Sequence, residues 1–211
     1  MRGCRPLTTE ETQRVVRAFA GRTARRDRSM FVLQLTTGVR ISELLSLNRG
    51  DVLTADGSLV DQVLIRRRNT KGAEAGLRKS LLPIAGEALS RWLEEQKNPP
   101  WGQVIASVPL FTTFTGRRLS RQHAYNIYRR AYRQAGLTLN ALGTHTPRKT
   151  YGNRLYEAYL ERMQRGENID PFRATSRMLA HKSIDSTEAY LAFREEQAQQ
   201  SLPAVVEGIE L

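Results

Sequence analysis

Tyr190, near the carboxyl end of the chain, is the side chain best placed to act as a nucleophile. Asp185 or Ser186 predicts the N-cap of a helix that carries Tyr190 about one turn inside, and His181 lies in the loop before that helix. A phenol needs help to lose its proton near neutral pH, which a histidine and nearby cations can give. Because a tyrosine on a short helix is usually a packed or surface residue, the hypothesis needs partners elsewhere in the chain.

Two arginines are predicted at the starts of helices. Gly38 permits a sharp turn, so that Arg40 stands at the entrance of the helix that follows. Thr146 predicts the N-cap of a later helix, with Arg148 in its first turn and His145 just before it. The first backbone N–H groups of a helix are free and bind anions. Both arginines are therefore candidate phosphate ligands, although a salt-bridged surface arginine is the commoner use of such a position.

A lysine occupies the loop of a predicted β-hairpin. Residues 60–68 and 77–84 are predicted strands, and Lys71 lies in the loop between them. A hairpin lysine is usually exposed to solvent, so the position alone is weak evidence. Arg78 and Lys79 compete with Lys71 for the same role.

Together these side chains favour one site for a phosphodiester. Two arginines can bind the non-bridging oxygens, a tyrosine can attack phosphorus, and a lysine or histidine can protonate the leaving oxygen. We expect neither a metal nor any other cofactor, because the carboxylates are not clustered as a two-metal site requires. The chain has one cysteine, Cys4, and three histidines, which excludes a disulfide framework and makes a histidine-rich metal site a poor hypothesis.

The charge of the chain predicts a polyanionic partner. The net charge is +12 and the isoelectric point about 10.5, whereas residues 195–211 contain four glutamates and no Lys or Arg. The basic residues are mostly arginines in clusters, which suits bidentate phosphate contacts. The candidate nucleic-acid contacts among them are Arg66, Arg68, Arg117, Arg118 and Arg121. A solvated basic surface or an anionic membrane surface is the weaker alternative, and the cytoplasm is the expected compartment because no signal peptide or apolar span is recognisable.

The remaining pattern predicts an α+β fold that is mostly helical, with one small antiparallel sheet. Thr8 and Glu11 have the spacing of a capping box, and Ser120 and Asp170 precede further helices. The segment 22–28 is predicted as a basic connection, and a second helix is predicted from Ser29. Residues 86–97 are predicted as a further helix.

Four ordered boxes resemble the tyrosine recombinases, the phage-integrase family. Residues 37–44, Thr-Gly-Val-Arg-Ile-Ser-Glu-Leu, are similar to the first arginine box, and residues 70–72 with 78–84 resemble the lysine-bearing hairpin. Residues 145–148, His-Thr-Pro-Arg, match the His-x-x-Arg box, and residues 179–190 match the final box with the tyrosine. The resemblance covers about residues 6–195 and implies the fold of a tyrosine-recombinase catalytic domain.

The resemblance also implies roles for the site residues. Tyr190 would form a 3′-phosphotyrosyl link, Arg40 and Arg148 would bind the scissile phosphate, and Lys71 would protonate the 5′-hydroxyl. His145 and His181 would assist catalysis, His181 by a hydrogen bond to a phosphate oxygen. Glu43 would orient the site residues without contacting the phosphate itself. The implied activity is site-specific integration, resolution or inversion of double-stranded DNA without metal or ATP.

The resemblance implies a domain layout and an assembly. Residues 1–6 would be an N-terminal extension, 7–195 the catalytic domain, and 196–211 a tail exchanged between protomers. Four protomers would assemble on DNA, with a monomer or weak oligomer when free. Most family members carry a core-binding domain before the catalytic one, so we expect either a truncated catalytic domain or a short, single-domain member that acts as a DNA invertase.

Two other functions stay open at this point. A type IB topoisomerase uses a similar set of arginine, lysine, histidine and tyrosine, and the boxes match it less well. A catalytically silent DNA-binding regulator is the alternative from another class, and the intact set of site residues argues against it.

Overall fold

The computed structural model describes residues 4–66, 76–95 and 106–180. Seven α-helices, one short 3-10 helix and a two-stranded antiparallel sheet lie in these ranges. In chain order they are α1 Thr9–Ala18, α2 Ala24–Thr37, α3 Ile41–Leu45, a 3-10 turn at Arg49–Asp51, β1 Gln62–Ile65, β2 Leu77–Ser80, α4 Pro83–Glu95, α5 Arg121–Gln134, α6 Thr146–Gln164 and α7 Pro171–Leu179. The predicted α+β class, mostly helical with one small antiparallel sheet, is confirmed.

The chain divides into two compact units, residues 1–151 and 152–211. Helix α6 contains the boundary, and all the candidate site residues discussed below that the structure describes lie in the first unit. The predicted catalytic domain over residues 7–195 and tail over 196–211 stay predictions, because both extend past the last described residue. None of the helices in the described ranges is long and apolar enough to cross a membrane.

The capping box at the start of α1 forms as predicted. The Thr8 hydroxyl accepts from the Glu11 N–H, and the Glu11 carboxylate accepts from the Thr8 N–H. Glu11 also pairs with Arg5, and the Arg5 N–H donates to the Ala141 carbonyl. The predicted N-terminal extension is thus fastened from Arg5 onward to the loop that precedes α6.

Helix α2 begins earlier than the sequence pattern predicts. The segment 22–28 was expected to be a connection, but the helix starts at Ala24 and includes most of its arginines. Arg26 and Asp27 are buried as an ion pair, and Arg26 also donates to the Thr112 carbonyl. The prediction was wrong because arginine is a good helix former, and here internal partners replace the solvent that a basic loop would need.

The second strand is shorter than predicted. Residues 77–84 were expected to be one strand, but β2 ends at Ser80 and α4 already starts at Pro83. Pro83 cannot donate to a strand ladder, and its fixed φ suits the first turn of a helix, which explains the earlier start of α4 as well. In the register of the sheet Val63 lies opposite Lys79, and both side chains are buried.

An aromatic cluster joins α2 to α5. Phe31 contacts Tyr128 edge-on with ring centroids 5.3 Å apart, and Tyr132 lies 6.4 Å from Phe31. The Tyr132 hydroxyl donates to the Gly143 carbonyl, just before α6. Burial raises the pKa of Tyr128 and Tyr132 far above the ordinary value, so neither phenol can readily become a nucleophile.

The described part of the second unit contains the end of α6 and all of α7. Asp170 caps α7 by accepting from the N–H groups of Phe172 and Arg173, and Pro171 occupies the first turn, as predicted. Gly166, two residues after the end of α6, has a left-handed backbone conformation.

Candidate active site

Arg40 is held at the entrance of α3 by Glu43. The Glu43 carboxylate accepts from the Arg40 backbone N–H at 2.7 Å and from its guanidinium at 3.0 Å. Glu43 is buried, with 2% of its surface exposed, whereas about a third of the Arg40 side chain is exposed. The buried carboxylate therefore fixes one edge of the guanidinium and leaves another edge for a ligand.

Arg148 lies in the first turn of α6 and is almost fully buried, with 1% of its surface exposed. Its guanidinium donates to the carbonyl of Gly38, two residues before Arg40. Gly38 is the left-handed residue that ends α2, with φ +66°, and its N–H donates to the Gln34 carbonyl. The structure thus brings the two predicted arginines together at one backbone turn.

Gln34 is a site residue that no sequence motif predicted. It is fully buried near the end of α2, and its side-chain amide donates to the carbonyls of Val39 and Thr144. One side chain therefore joins the residue before Arg40 to the residue before His145. A lone glutamine in an apolar helix was the only available signal, because a buried amide must find partners.

His145 lies immediately before α6, and its carbonyl accepts from the Lys149 N–H in the first turn of that helix. Thr146 was predicted to be the N-cap, but its hydroxyl accepts from the Gly143 N–H outside the helix, which begins at Thr146 itself. Partial burial of the imidazole, together with the positive charges of Arg148, Arg40 and Lys149, lowers the pKa of His145 below its ordinary value of 6.5. The neutral imidazole is therefore favoured at neutral pH.

Lys79 also belongs to the site, although Lys71 was the lysine favoured by the sequence. It is 4% exposed, and its ammonium group lies 5.6 Å from the centre of the Tyr151 ring. Burial and the nearby Arg148 lower the pKa of Lys79 to about 8, and the Glu43 carboxylate opposes that shift. Lys79 was a predicted competitor of Lys71, and it lies in the interior near Arg148 and Tyr151.

The described part of the site carries more positive than negative charge. Arg40 pairs with the one carboxylate of this group, that of Glu43, while Lys79 lies near both Glu43 and Arg148, and the charges of Arg148 and Arg40 act on the imidazole of His145. Such an arrangement binds an anion and stabilises negative charge that develops on it. Lys71, His181 and Tyr190 lie outside the described residues, so their assignments stay predictions.

The predicted DNA-binding arginines differ in their surroundings. Arg117 and Arg121 are exposed, and exposed Arg66 pairs with Asp51. Arg118 is also exposed, and its guanidinium donates to the carbonyls of Leu45 and Leu47 and to the Asn48 side chain. Arg68 lies outside the described residues. No group of three or more potential metal ligands among His, Cys, Asp and Glu occurs within the described ranges.

Comparison with known proteins identifies the family of the chain. The family model described as "Phage integrase family" matches residues 5–197. The type 1 fimbriae regulatory protein FimE of Escherichia coli K12 is 33% identical over 190 residues, which cover 89% of this chain and 85% of FimE. The tyrosine recombinase XerD of Xanthomonas axonopodis pv. citri is 28% identical over 78% of this chain and 50% of XerD.

Solved structures show the same fold. The XerH site-specific recombinase bound to palindromic difH substrate superposes with a TM-score of 0.68 at 21% identity, over 95% of this chain and 53% of XerH. A λ integrase dimer bound to a core site gives a TM-score of 0.61 at 16% identity. The chain thus spans about half the length of XerD and XerH and most of the length of FimE. From the family match and the extent of these similarities, the chain belongs to the phage integrase family of site-specific tyrosine recombinases.

Proposed function

We propose that the chain cuts and rejoins double-stranded DNA through a covalent bond between Tyr190 and a 3′-phosphate. The observation that carries this proposal is the convergence of Arg40 and Arg148 on the Gly38 turn, behind which Glu43 is buried. Two guanidinium groups fixed in this way suit the two non-bridging oxygens of one phosphodiester. The excess positive charge suits a pentavalent transition state, whose negative charge exceeds that of the substrate.

The chemical step needs only groups that the chain contains. The Tyr190 oxygen attacks phosphorus, the bond from phosphorus to the 5′-oxygen breaks, and the proton of the phenol passes to a histidine. Neutral His145 is a candidate acceptor, with His181 as a further hydrogen-bond donor to phosphate. Lys71 gives a proton to the departing 5′-oxygen. The phosphotyrosyl bond preserves the energy of the broken ester, so attack by a 5′-hydroxyl reverses the sequence and rejoins the strand.

The proposed partner is a DNA duplex on which protomers assemble, for which a homotetramer is the proposed state. The XerH structure contains difH substrate, and the λ integrase structure is of a dimer bound to a core site. Basic surface residues of this chain support DNA as the partner, since Arg117 before α5 and Arg121 at its start are exposed and the net charge is +12. With DNA as its substrate, the protein is proposed to act in the cytoplasm.

Covalent trapping on a nicked suicide substrate tests the proposal. The wild type should give a protein–DNA adduct that is stable in denaturant, and Tyr190→Phe should give none. Tyr125→Phe is the matched control, because Tyr125 is an exposed tyrosine on α5 and its loss should leave the adduct unchanged. Arg148→Ala should abolish the adduct and retain most non-specific DNA binding. An adduct that persists in Tyr190→Phe would disprove the assignment of the nucleophile.

The same preparation separates the two alternative functions. Relaxation of a supercoiled plasmid that lacks any specific site would favour topoisomerase-like activity. Tight, sequence-specific binding without any adduct, on every substrate tried, would favour a silent DNA-binding regulator. We expect no site-independent relaxation, because the sequence matches the phage integrase family over residues 5–197. We expect no silent binding, because the arginine pair and its buried carboxylate suit phosphodiester chemistry.

A further inference from the structure

Lys79 is a buried lysine on strand β2, at a position where the fold of the hairpin does not require a charged side chain. In strand β2 it lies opposite Val63, and its neighbours Arg78 and Ser80 point to the exposed side of the sheet. A lysine at an inward position of a strand is costly, because the ammonium group loses most of its water. Valine or leucine would fill such a position at lower cost, so packing alone does not explain the charge.

The inward side chain ends among the groups of the proposed phosphate site. Its ammonium group lies over the ring of Tyr151, and the charges that act on it come from Glu43 on α3 and Arg148 on α6. The Tyr151 ring in turn packs on Gly38, whose carbonyl accepts from Arg148. Lys79 therefore belongs to the same packed unit as the Gly38 turn and the two arginines.

We propose that Lys79 is a positioning residue for DNA strand cleavage, an interior cation that acts on the scissile phosphate through Arg148 and Glu43 without donating its proton. This inference rests on the function proposed above. Among the described residues, Arg40 and Arg148, offset by Glu43, leave one net positive charge, to which a protonated Lys79 adds a second. Because the pentavalent transition state carries one more negative charge than the phosphodiester, this additional cation favours the transition state over bound DNA.

This charge balance predicts which kinetic quantity changes. A cation matched to the transition state raises the rate of cleavage more than it raises DNA affinity. Charge and shape can be separated by three substitutions. Lys79→Met keeps length and apolar stem, Lys79→Gln keeps a polar end, and Lys79→Arg keeps the charge at all accessible pH values.

The alternative is that Lys79 donates a proton to the departing 5′-oxygen. The experiment must distinguish this role from electrostatic support of the transition state. A DNA substrate with sulfur in place of the bridging 5′-oxygen provides the distinction, because a thiolate leaves without being protonated. A variant that lacks the proton donor regains activity on the sulfur substrate, whereas a variant that lacks electrostatic support does not. Lys71→Gln serves as the matched variant, since Lys71 is the proposed proton donor.

The experiment measures single-turnover cleavage and DNA affinity for each full-length variant, after thermal unfolding has shown which variants fold. For Lys79→Met and Lys79→Gln we expect cleavage to fall by about 10²–10³-fold on both substrates, with DNA affinity changed by less than about threefold. Lys71→Gln should regain activity on the sulfur substrate. Lys79→Arg should remain within about tenfold of the wild type.

The pH profile gives a further readout that a purely structural role would not change. Burial and Arg148 set the pKa of Lys79 at about 8, so the charged form is present below that value and is lost above it. Wild-type cleavage at sub-saturating DNA should fall above about pH 8, and Lys79→Arg should not show that fall.

Three results would overturn the inference. Rescue of Lys79→Gln by the sulfur substrate would make Lys79 the proton donor. Wild-type rates in a folded Lys79→Met variant would make it a packing residue only. An alkaline fall unchanged in Lys79→Arg would assign that titration to another group. These results differ from failure of the proposed function, which would appear as an adduct that does not depend on Tyr190.

Discussion

The guanidinium of Arg148 donates a hydrogen bond to the carbonyl of Gly38, a residue far away in sequence. On its other side Gly38 meets the ring of Tyr151, which leaves no room for a side chain. The turn that presents Arg40 is thus held between the guanidinium of one α6 residue and the ring of another. The geometry of the arginine pair consequently depends on the absence of a Cβ atom at position 38.

Gly38→Ala should therefore disrupt the site. An alanine Cβ would approach the Tyr151 ring more closely than carbon atoms allow, and the φ of +66° is itself unfavourable for alanine. We expect a loss of about 2–4 kcal/mol in the free energy of unfolding and loss of covalent adduct on a suicide substrate. Chemical denaturation and adduct trapping measure the two effects.

Gly57→Ala is the control for the backbone alone. Gly57 also has a positive φ, +85°, but a Cβ atom there would meet open space. We expect a loss of only about 1 kcal/mol and a normal adduct yield. Equal effects of the two substitutions would mean that the contact with Tyr151 does not matter.

Glu43→Gln should weaken cleavage more than DNA binding. In the glutamine, an NH₂ group replaces one of the two carboxylate oxygens that accept hydrogen bonds from Arg40. The substitution also removes the buried negative charge near Arg40 and Lys79. We expect about 1–3 kcal/mol of lost stability and a cleavage rate lower by at least tenfold.

Glu87→Gln is the matched control for Glu43→Gln, because it removes the carboxylate of an ion pair on the surface. Glu87 pairs with Arg91 one helical turn away, and both side chains are mostly exposed. Its loss should change stability by less than about 0.5 kcal/mol and leave cleavage unchanged. A Glu43→Gln protein that cleaves at the wild-type rate would contradict the role of the buried carboxylate.

Sequence pattern predicted the parts of the site that depend on local rules. Gly38 and Arg40 were recognisable because a helix stop and a helix start are read from neighbouring residues, and α7 followed from Asp170 and Pro171 in the same way. The partners of Gln34, and of Arg26 in a helix predicted as a loop, were not recognisable. Those partners are Thr144 and Thr112, far away in sequence, and no local pattern encodes a contact over such a distance.

The direction of Lys79 shows the same limit. Alternation along a strand predicts which residues share a face, but the pattern around β2 contains a lysine where an apolar residue would mark the interior. Only the burial of Lys79 and its contact with the Tyr151 ring of α6 identify the inward face. The sequence could therefore name Lys79 as a competitor and could not decide its place.

Gln34→Leu should loosen the join between the Arg40 and His145 segments. Leucine fills a similar volume but leaves the buried carbonyls of Val39 and Thr144 without their amide donor. We expect a loss of about 1–3 kcal/mol in the free energy of unfolding and a reduced cleavage rate. Gln122→Leu, at an exposed position of α5, should change neither quantity. Equal stability of the two variants would show that the bridge is dispensable.

His145 should make stability and cleavage decrease on acidification. Its pKa in the folded state lies below 6.5, so below that pH the unfolded chain binds more protons than the native state. The penalty is absent above about pH 6.5 and grows as the pH falls towards the lower, folded-state pKa. Denaturation of the wild type and of His145→Gln between pH 5 and 8 isolates this contribution, because the other groups cancel in the difference. A difference that does not vary with pH would contradict the shift.

Arg117 and Arg118 should separate DNA binding from folding, although they are neighbours in sequence. Arg117 is exposed, so Arg117→Ala should weaken DNA binding, reduce the salt dependence of the affinity by about one phosphate contact and leave the thermal midpoint unchanged. Arg118 is exposed as well, but its guanidinium donates to the carbonyls of Leu45, at the end of α3, and of Leu47, so Arg118→Ala should cost about 1–3 kcal/mol of stability. Affinity measured at several salt concentrations, together with thermal unfolding, tests both. If Arg118→Ala unfolded like the wild type and lost DNA affinity as Arg117→Ala does, the guanidinium would serve DNA and the internal bonds would be incidental.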